Sequence, residues 1–248
     1  MVSAHSEITV RCDLWASRYP PCVSSEATRW TIIQGAAAGR RADRDAFVRR
    51  YAPVIRAYLT ARWGRSPLAA EIDDAMQEVF LDCFKDDGAL GRVDPEHGSG
   101  FRAFLYGVTR NVAARLERSR ARRRERQPAT DSGLERLGAE DEPLSQAFDR
   151  AWCRALVREA AGLQLQRAAG KGERAVLRHR LLAARYGDGL PIREIAARWE
   201  EEPAFLHGQF RQAREEFRQA LRDTVKALHG GGREAVDAEC ERLMQVFG

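Results

Sequence analysis

With 248 residues, 41 Lys and Arg against 36 Asp and Glu and a net charge of +5, the chain can bury one or two ordinary cores and leans slightly basic. Ala, Leu, Arg and Glu dominate and strand-like runs of Val, Ile and Thr are almost absent, which predicts an all-α protein; the order of its elements, taken below, makes it two small helical domains joined by a flexible linker. No apolar run approaches the ~20 residues of a membrane span, the N-terminus lacks a secretory apolar core, and five scattered Cys without a CxxC pair fit reduced thiols in a cytoplasmic protein.

Residues 1–27 hold Pro20-Pro21, several Ser and no period, and read as a flexible extension. His5, Cys12 and Cys22 match no metal-ligand spacing. The first domain spans 28–126. Thr28 or Thr31 caps a short helix carrying Trp30, Ile32 and Ile33. A helix from Asp43 to about Trp63 follows, with Phe47, Tyr51, Val54, Ile55, Tyr58 and Leu59 on one face and Pro53 as a kink or boundary. After the turn Gly64–Pro67, a third helix runs from about Ala69 to Phe84. It directs Ile72, Met76, Val79, Phe80 and Phe84 inward and Asp73, Asp74, Gln77, Glu78 and Asp82 outward.

The helix Phe101–Arg126 is the feature that most constrains function. Its first half carries Phe101, Phe104, Leu105, Val108, Val112 and Leu116 at helical spacing. From Arg115 to Arg126 it holds seven Arg against two Glu, net +5, as large as the charge of the whole chain. A helix that begins in a core and ends as a cationic rod suits a polyanion, of which nucleic acid is the commonest; a solvated helix end leading into a linker is the plainer alternative.

Gln127–Pro143 lacks apolar periodicity and reads as the linker. The second domain spans 144–229, opening with an amphipathic helix from Leu144 to about Ala168 that carries Phe148 and Trp152. Gly170–Gly172 breaks it, and a helix Glu173–Tyr186 follows. In GLPIREIAARW at 189–199, Pro191 opens a helix bearing Ile192, Ile195, Ala196 and Trp199, the pattern of the first helix of a helix-turn-helix. The helix Pro203 to about Leu228 would be its recognition helix, with Phe205, Leu206, Phe210, Phe217 and Leu221 as a buried stripe. Residues 230–248 form a helical tail.

Two stretches carry a resemblance. IDDAMQEVF at 72–80 is similar to the acidic helix, and FRAFLYGVTRNVAARLERSR at 101–120 to the arginine-bearing helix, of the promoter-melting domain of bacterial RNA polymerase sigma factors of the extracytoplasmic-function class. Asp74, Gln77, Glu78 and Phe80 match in the first, and Arg102, Leu105, Arg110, Asn111 and Arg118 in the second; Phe104 stands where Trp is usual. TRWTII at 28–33 and the tail REAVDAECERLMQVFG resemble one subgroup. The resemblance implies a core RNA polymerase docking face of Asp73, Asp74, Gln77, Glu78 and Phe80. It also implies a minus-ten DNA face of Arg102, Phe104, Arg110, Asn111, Arg115, Arg118 and Arg122. The second domain would read the minus-thirty-five element through Arg193, Phe205, His207, Gln209, Arg211, Gln212 and Arg214. The expected partners are therefore core polymerase and promoter DNA, and the class leaves room for an anti-sigma protein.

The second domain departs from this pattern. Its turn reads Glu200-Glu201-Glu202 where Gly is usual, and from Gly187 to Gly248 there are nine basic and twelve acidic residues. Carboxylates there favour the helix dipole but repel phosphate, so a sigma-like adaptor whose second domain binds a protein is the alternative. No P-loop, nucleophile–base arrangement or ligand spacing among the five His points to catalysis, a metal or another cofactor. Asp73, Asp74 and Glu78 as magnesium ligands of a nuclease would lack a converging carboxylate from another element.

Overall fold

The computed structural model describes residues 29–86, 88–93, 100–125, 141–227, 236 and 241. The N-terminal extension, His5, Cys12, Cys22, most of the expected linker and nearly all of the tail therefore lie outside the described residues. Those described form eight α-helices and no strand: α1 (Arg29–Ala37), α2 (Arg41–Trp63), α3 (Ile72–Phe84), α4 (Gly100–Glu125), α5 (Asp141–Ala169), α6 (Glu173–Leu182), α7 (Ile192–Trp199) and α8 (Pro203–Lys226). The chain is all-α, as its composition predicts. No helix among the described residues is long and apolar enough to cross a membrane.

The chain divides into two compact units, one built on Glu26–Ala155 and the other on Leu156–Lys226. The division falls inside α5, whereas the expected boundary lay in a linker ending at Pro143. The cause is packing: Phe148 and Trp152 are buried against Tyr51, Tyr58, Phe101 and Tyr106 of the first unit. This half of α5 completes the first core.

That core is centred on α2, whose buried residues Phe47, Tyr51, Val54, Ile55, Tyr58, Leu59 and Trp63 repeat at helical spacing. Pro53 neither ends nor divides α2. It sits on the exposed side, where water can satisfy the Arg49 carbonyl that a proline cannot reach, while its neighbours Tyr51, Val54 and Ile55 hold the turn in the core. Ser66 accepts a hydrogen bond from the Leu68 N–H (3.2 Å) and Pro67 opens a 3₁₀ turn, Pro67–Glu71, so α3 starts at Ile72 rather than at Ala69. Rings from three helices meet at Phe101, which lies 6.0 Å from Phe47 and 5.1 Å from Tyr51. Cys83 and Cys153 are buried cysteines outside any disulfide, and burial pushes Cys83 up to about 12, so it is inert at neutral pH.

The second unit packs α6, α7 and α8 around Leu181, Ala184, Ile192, Ile195, Ala196 and Leu206. α6 ends earlier than expected: Ala183–Gly187 forms a π turn. α7 closes on Glu200, which takes the left-handed conformation at φ 56°, and the N–H groups of Glu200 and Glu201 both reach the Ala196 carbonyl. Glycine adopts this conformation without the clash a Cβ causes. Glu200→Gly is therefore expected to stabilise the second unit by ~0.5–1 kcal/mol in urea unfolding; a loss of stability would show that the Glu200 side chain supports the turn.

Candidate nucleic-acid interface

α3 buries Ile72, Ala75, Met76, Val79 and Cys83 and turns Asp73, Asp74 and Gln77 to solvent, with Glu78 half-exposed. Asp74, Gln77, Glu78 and Leu81 follow one another at i, i+3, i+4 and i+7 and so share one face. Leu81, 61% exposed, adds an apolar residue to that face which the sequence reading left out. Phe80 is only half-buried: it meets Phe47 edge-on at 6.3 Å and stacks on Phe84 at 6.0 Å, so it backs the face from the edge of the core.

Much of this acidity is paired within the domain. Arg56 holds Asp73 and Arg120 holds Glu71. Arg115 spans two carboxylates, Glu78 at 3.2 Å and Asp82 at 2.9 Å, and Lys85 also reaches Asp82 at 2.9 Å. Partial burial works against the Asp82 charge, yet Lys85 and Arg115 outweigh it and hold the carboxyl below its ordinary value. Asp74 makes no ion pair among the described residues. Asp73 and Glu78 face arginines rather than a third carboxylate, and no group of three or more His, Cys, Asp or Glu side chains among the described residues is arranged to hold a metal.

α4 is rooted by Phe101, Leu105, Thr109, Val112 and Ala113, all buried; the Thr109 hydroxyl donates to the Leu105 carbonyl at 2.8 Å. At about 100° per residue, Phe104, Asn111, Arg118 and Arg122 fall within about 40° of arc, with Arg115 beside them. Phe104 is half-buried and the other four are exposed. Two expected members stand elsewhere. Arg102 is on the opposite side of α4 and pairs with Asp149 of α5. Arg110 is exposed about a quarter turn away from the stripe.

Glu117 anchors the cationic half of α4, a role the sequence reading missed. It accepts from Arg62 Nε (2.7 Å) and Nη2 (3.0 Å) and from the Trp63 indole N–H (2.7 Å), while Arg62 Nη1 donates to the Tyr58 hydroxyl at 3.1 Å. The fork geometry of Arg on a carboxylate fixes the helix in rotation as well as position, and the Glu117 hydrogen bond raises the Arg62 pKa further. The only sequence signal was an acidic residue one turn beyond the buried Ala113.

On α8, His207, Arg211 and Arg214 share one exposed face, which Arg218 and Arg222 extend, although the sequence reading stopped at Arg214. Gln212 is exposed about a third of a turn away from that face, and Arg193 is exposed on α7. Two expectations are corrected. Phe205 is not in the buried stripe but 36% exposed, because Leu206 takes the core position and Phe205 lies about 100° around the helix. Gln209 is partly buried and accepts from Arg178 Nη1 at 3.4 Å; Arg178, itself buried, also grips Glu216 through Nε at 3.0 Å.

Residues 47–124 match the family model of sigma-70 region 2, a span that runs from α2 through α3 and along α4 and so contains both the acidic face and the arginine stripe. No curated protein and no solved structure matches the chain. Residues 47–124 are thus similar to sigma-70 region 2 of RNA polymerase sigma factors, and this matched stretch holds both candidate faces.

Proposed function

We propose that the chain is a sigma factor of the extracytoplasmic-function class. It docks core polymerase through the α3 face of Asp74, Gln77, Glu78 and Leu81, and holds the opened minus-ten strand on the α4 stripe of Phe104, Asn111, Arg118 and Arg122. The observation that carries this is the pairing of an acidic exposed face with an arginine stripe inside one matched domain. An acidic face suits a basic protein surface by charge complementarity. A stripe with an aromatic ring at one end and arginines at the other suits a single strand, whose bases stack and whose phosphates need cations. The second unit contacts duplex DNA at the minus-thirty-five element through His207, Arg211, Arg214 and Arg218, with Arg193 of α7 beside them.

A second reading is favoured by the Glu200–Glu202 turn at the start of α8 and by the engagement of Gln209 with Arg178. Both weaken base readout, and together they fit an adaptor whose second unit meets a protein. Co-purification with core polymerase followed by run-off transcription separates the two. The sigma reading expects binding and a discrete transcript. Asp74→Arg with Gln77→Ala should lose at least ten-fold in polymerase affinity with helix content unchanged. Binding without a transcript favours the adaptor, and undiminished binding by the double variant refutes the α3 face.

A further inference from the structure

The acidic face of α3 and the arginine stripe of α4 are not independent surfaces, because one side chain belongs to both. Arg115 lies beside Asn111 and Arg118 on α4, but its Nη1 is 2.9 Å from Asp82 and its Nη2 is 3.2 Å from Glu78 of α3. Its positive charge is directed at the face that a basic partner would occupy. We infer that Arg115 couples the two faces: a cationic partner seated on α3 takes over Glu78, releases Arg115 from it, and so adds a phosphate contact to the α4 stripe. The inference rests on the docking and strand-binding reading above.

The geometry suits exchange rather than permanent locking. The side chains of Arg115 and Glu78 are 45% and 46% exposed, and ion pairs at that exposure are weak and salt-screened. Asp82 keeps Lys85 at 2.9 Å when Arg115 leaves, so no carboxylate is stranded. By contrast, the Arg62–Glu117 pair that fixes α4 is largely buried, at 14% for each side chain. The helix therefore stays in place while the one arginine changes partners. Coupling of this kind is reciprocal: the strand that captures Arg115 frees Glu78 and strengthens docking by the same factor.

The test uses the full chain without polymerase, a fluorescent single-stranded DNA oligonucleotide and a salt series. Glu78→Gln with Asp82→Asn removes the clasp and should tighten binding by about 5-fold more in the native background than beside Arg115→Ala. The log–log salt slope should steepen by about 0.7 only when Arg115 is present. Equal gains in the two backgrounds would mean that the lost negative charge alone explains them, and would overturn the inference. Arg118→Ala with Arg122→Ala reports on the underlying reading. A slope reduced by about 1.4 supports the stripe; no change overturns the stripe and the coupling with it, whereas a loss there with an additive cycle overturns the coupling alone.

Discussion

Phe148→Ala is expected to destabilise the first unit by about 3–5 kcal/mol, although position 148 lies outside the residues that match sigma-70 region 2. The ring is fully buried, 5.3 Å from Tyr106, 6.4 Å from Tyr58 and stacked on Trp152 at 6.4 Å. Removing it leaves a cavity walled by aromatic rings on α2, α4 and α5, which rigid neighbours fill poorly. Trp152 in turn stacks on Tyr51 at 5.7 Å, so the loss spreads to the centre of the core. Urea unfolding of the full chain, followed by tryptophan fluorescence to which Trp63 and Trp152 contribute, gives the value. A cost below about 1 kcal/mol would show that α5 is an accessory layer and that the matched helices fold without it.

This result bears on what the sequence makes legible. Periodicity gives α2 almost residue for residue, since Phe47, Tyr51, Val54, Ile55, Tyr58 and Leu59 are all buried. It identifies α4 and places Phe104, Asn111, Arg118 and Arg122 on one line, because a helix wheel needs only spacing. It does not say which neighbour a helix chooses. Leu144, Phe148 and Trp152 form an equally good stripe whichever core they enter, and only the tertiary contact assigns them to the first unit. Pro53 misleads for a related reason: its cost depends on which side of α2 it faces. At Glu200 the spacing gives the turn, but the left-handed backbone there is invisible when no Gly marks it.

Charge is the least legible quantity of all. Counting arginines in α4 gives a cationic rod, yet Arg115 and Arg120 turn back onto α3 and the turn before it, and Arg102 turns to α5. Two of the three acidic groups expected to meet a partner, Asp73 and Glu78, are met first by arginines of the same domain. These pairs join residues tens of positions apart, and no local pattern encodes them. What remains outward, Asp74 and Gln77 on one helix and Arg118 and Arg122 on the other, is a smaller and more specific pair of surfaces than composition implies.

In the second unit, acid should destabilise the fold through His179. The ring is 4% exposed and burial pushes its pKa down to about 4, from 6.5 in the unfolded chain. Its Nδ1 lies 3.2 Å from Gln164 Oε1, and Gln164 Nε2 donates to the Ala213 carbonyl at 3.2 Å, so the neutral ring carries its proton on Nδ1 and links α6 through α5 to α8. The sign follows from the depressed value. Above pH 6.5 neither state binds the proton and the contribution is complete; as pH falls from 6.5 to about 4 only the unfolded chain takes it up, which lowers stability by about 1.4 kcal/mol per pH unit and about 3 kcal/mol in all. His179→Gln keeps a neutral polar group and removes the titration. Urea unfolding read from α6 and α8 backbone resonances between pH 7 and pH 4.5 should therefore show a shallower acid limb in the variant, although it is less stable at pH 7. Identical acid limbs would mean that the imidazole is protonated within the folded unit and that His179 does not set its acid sensitivity.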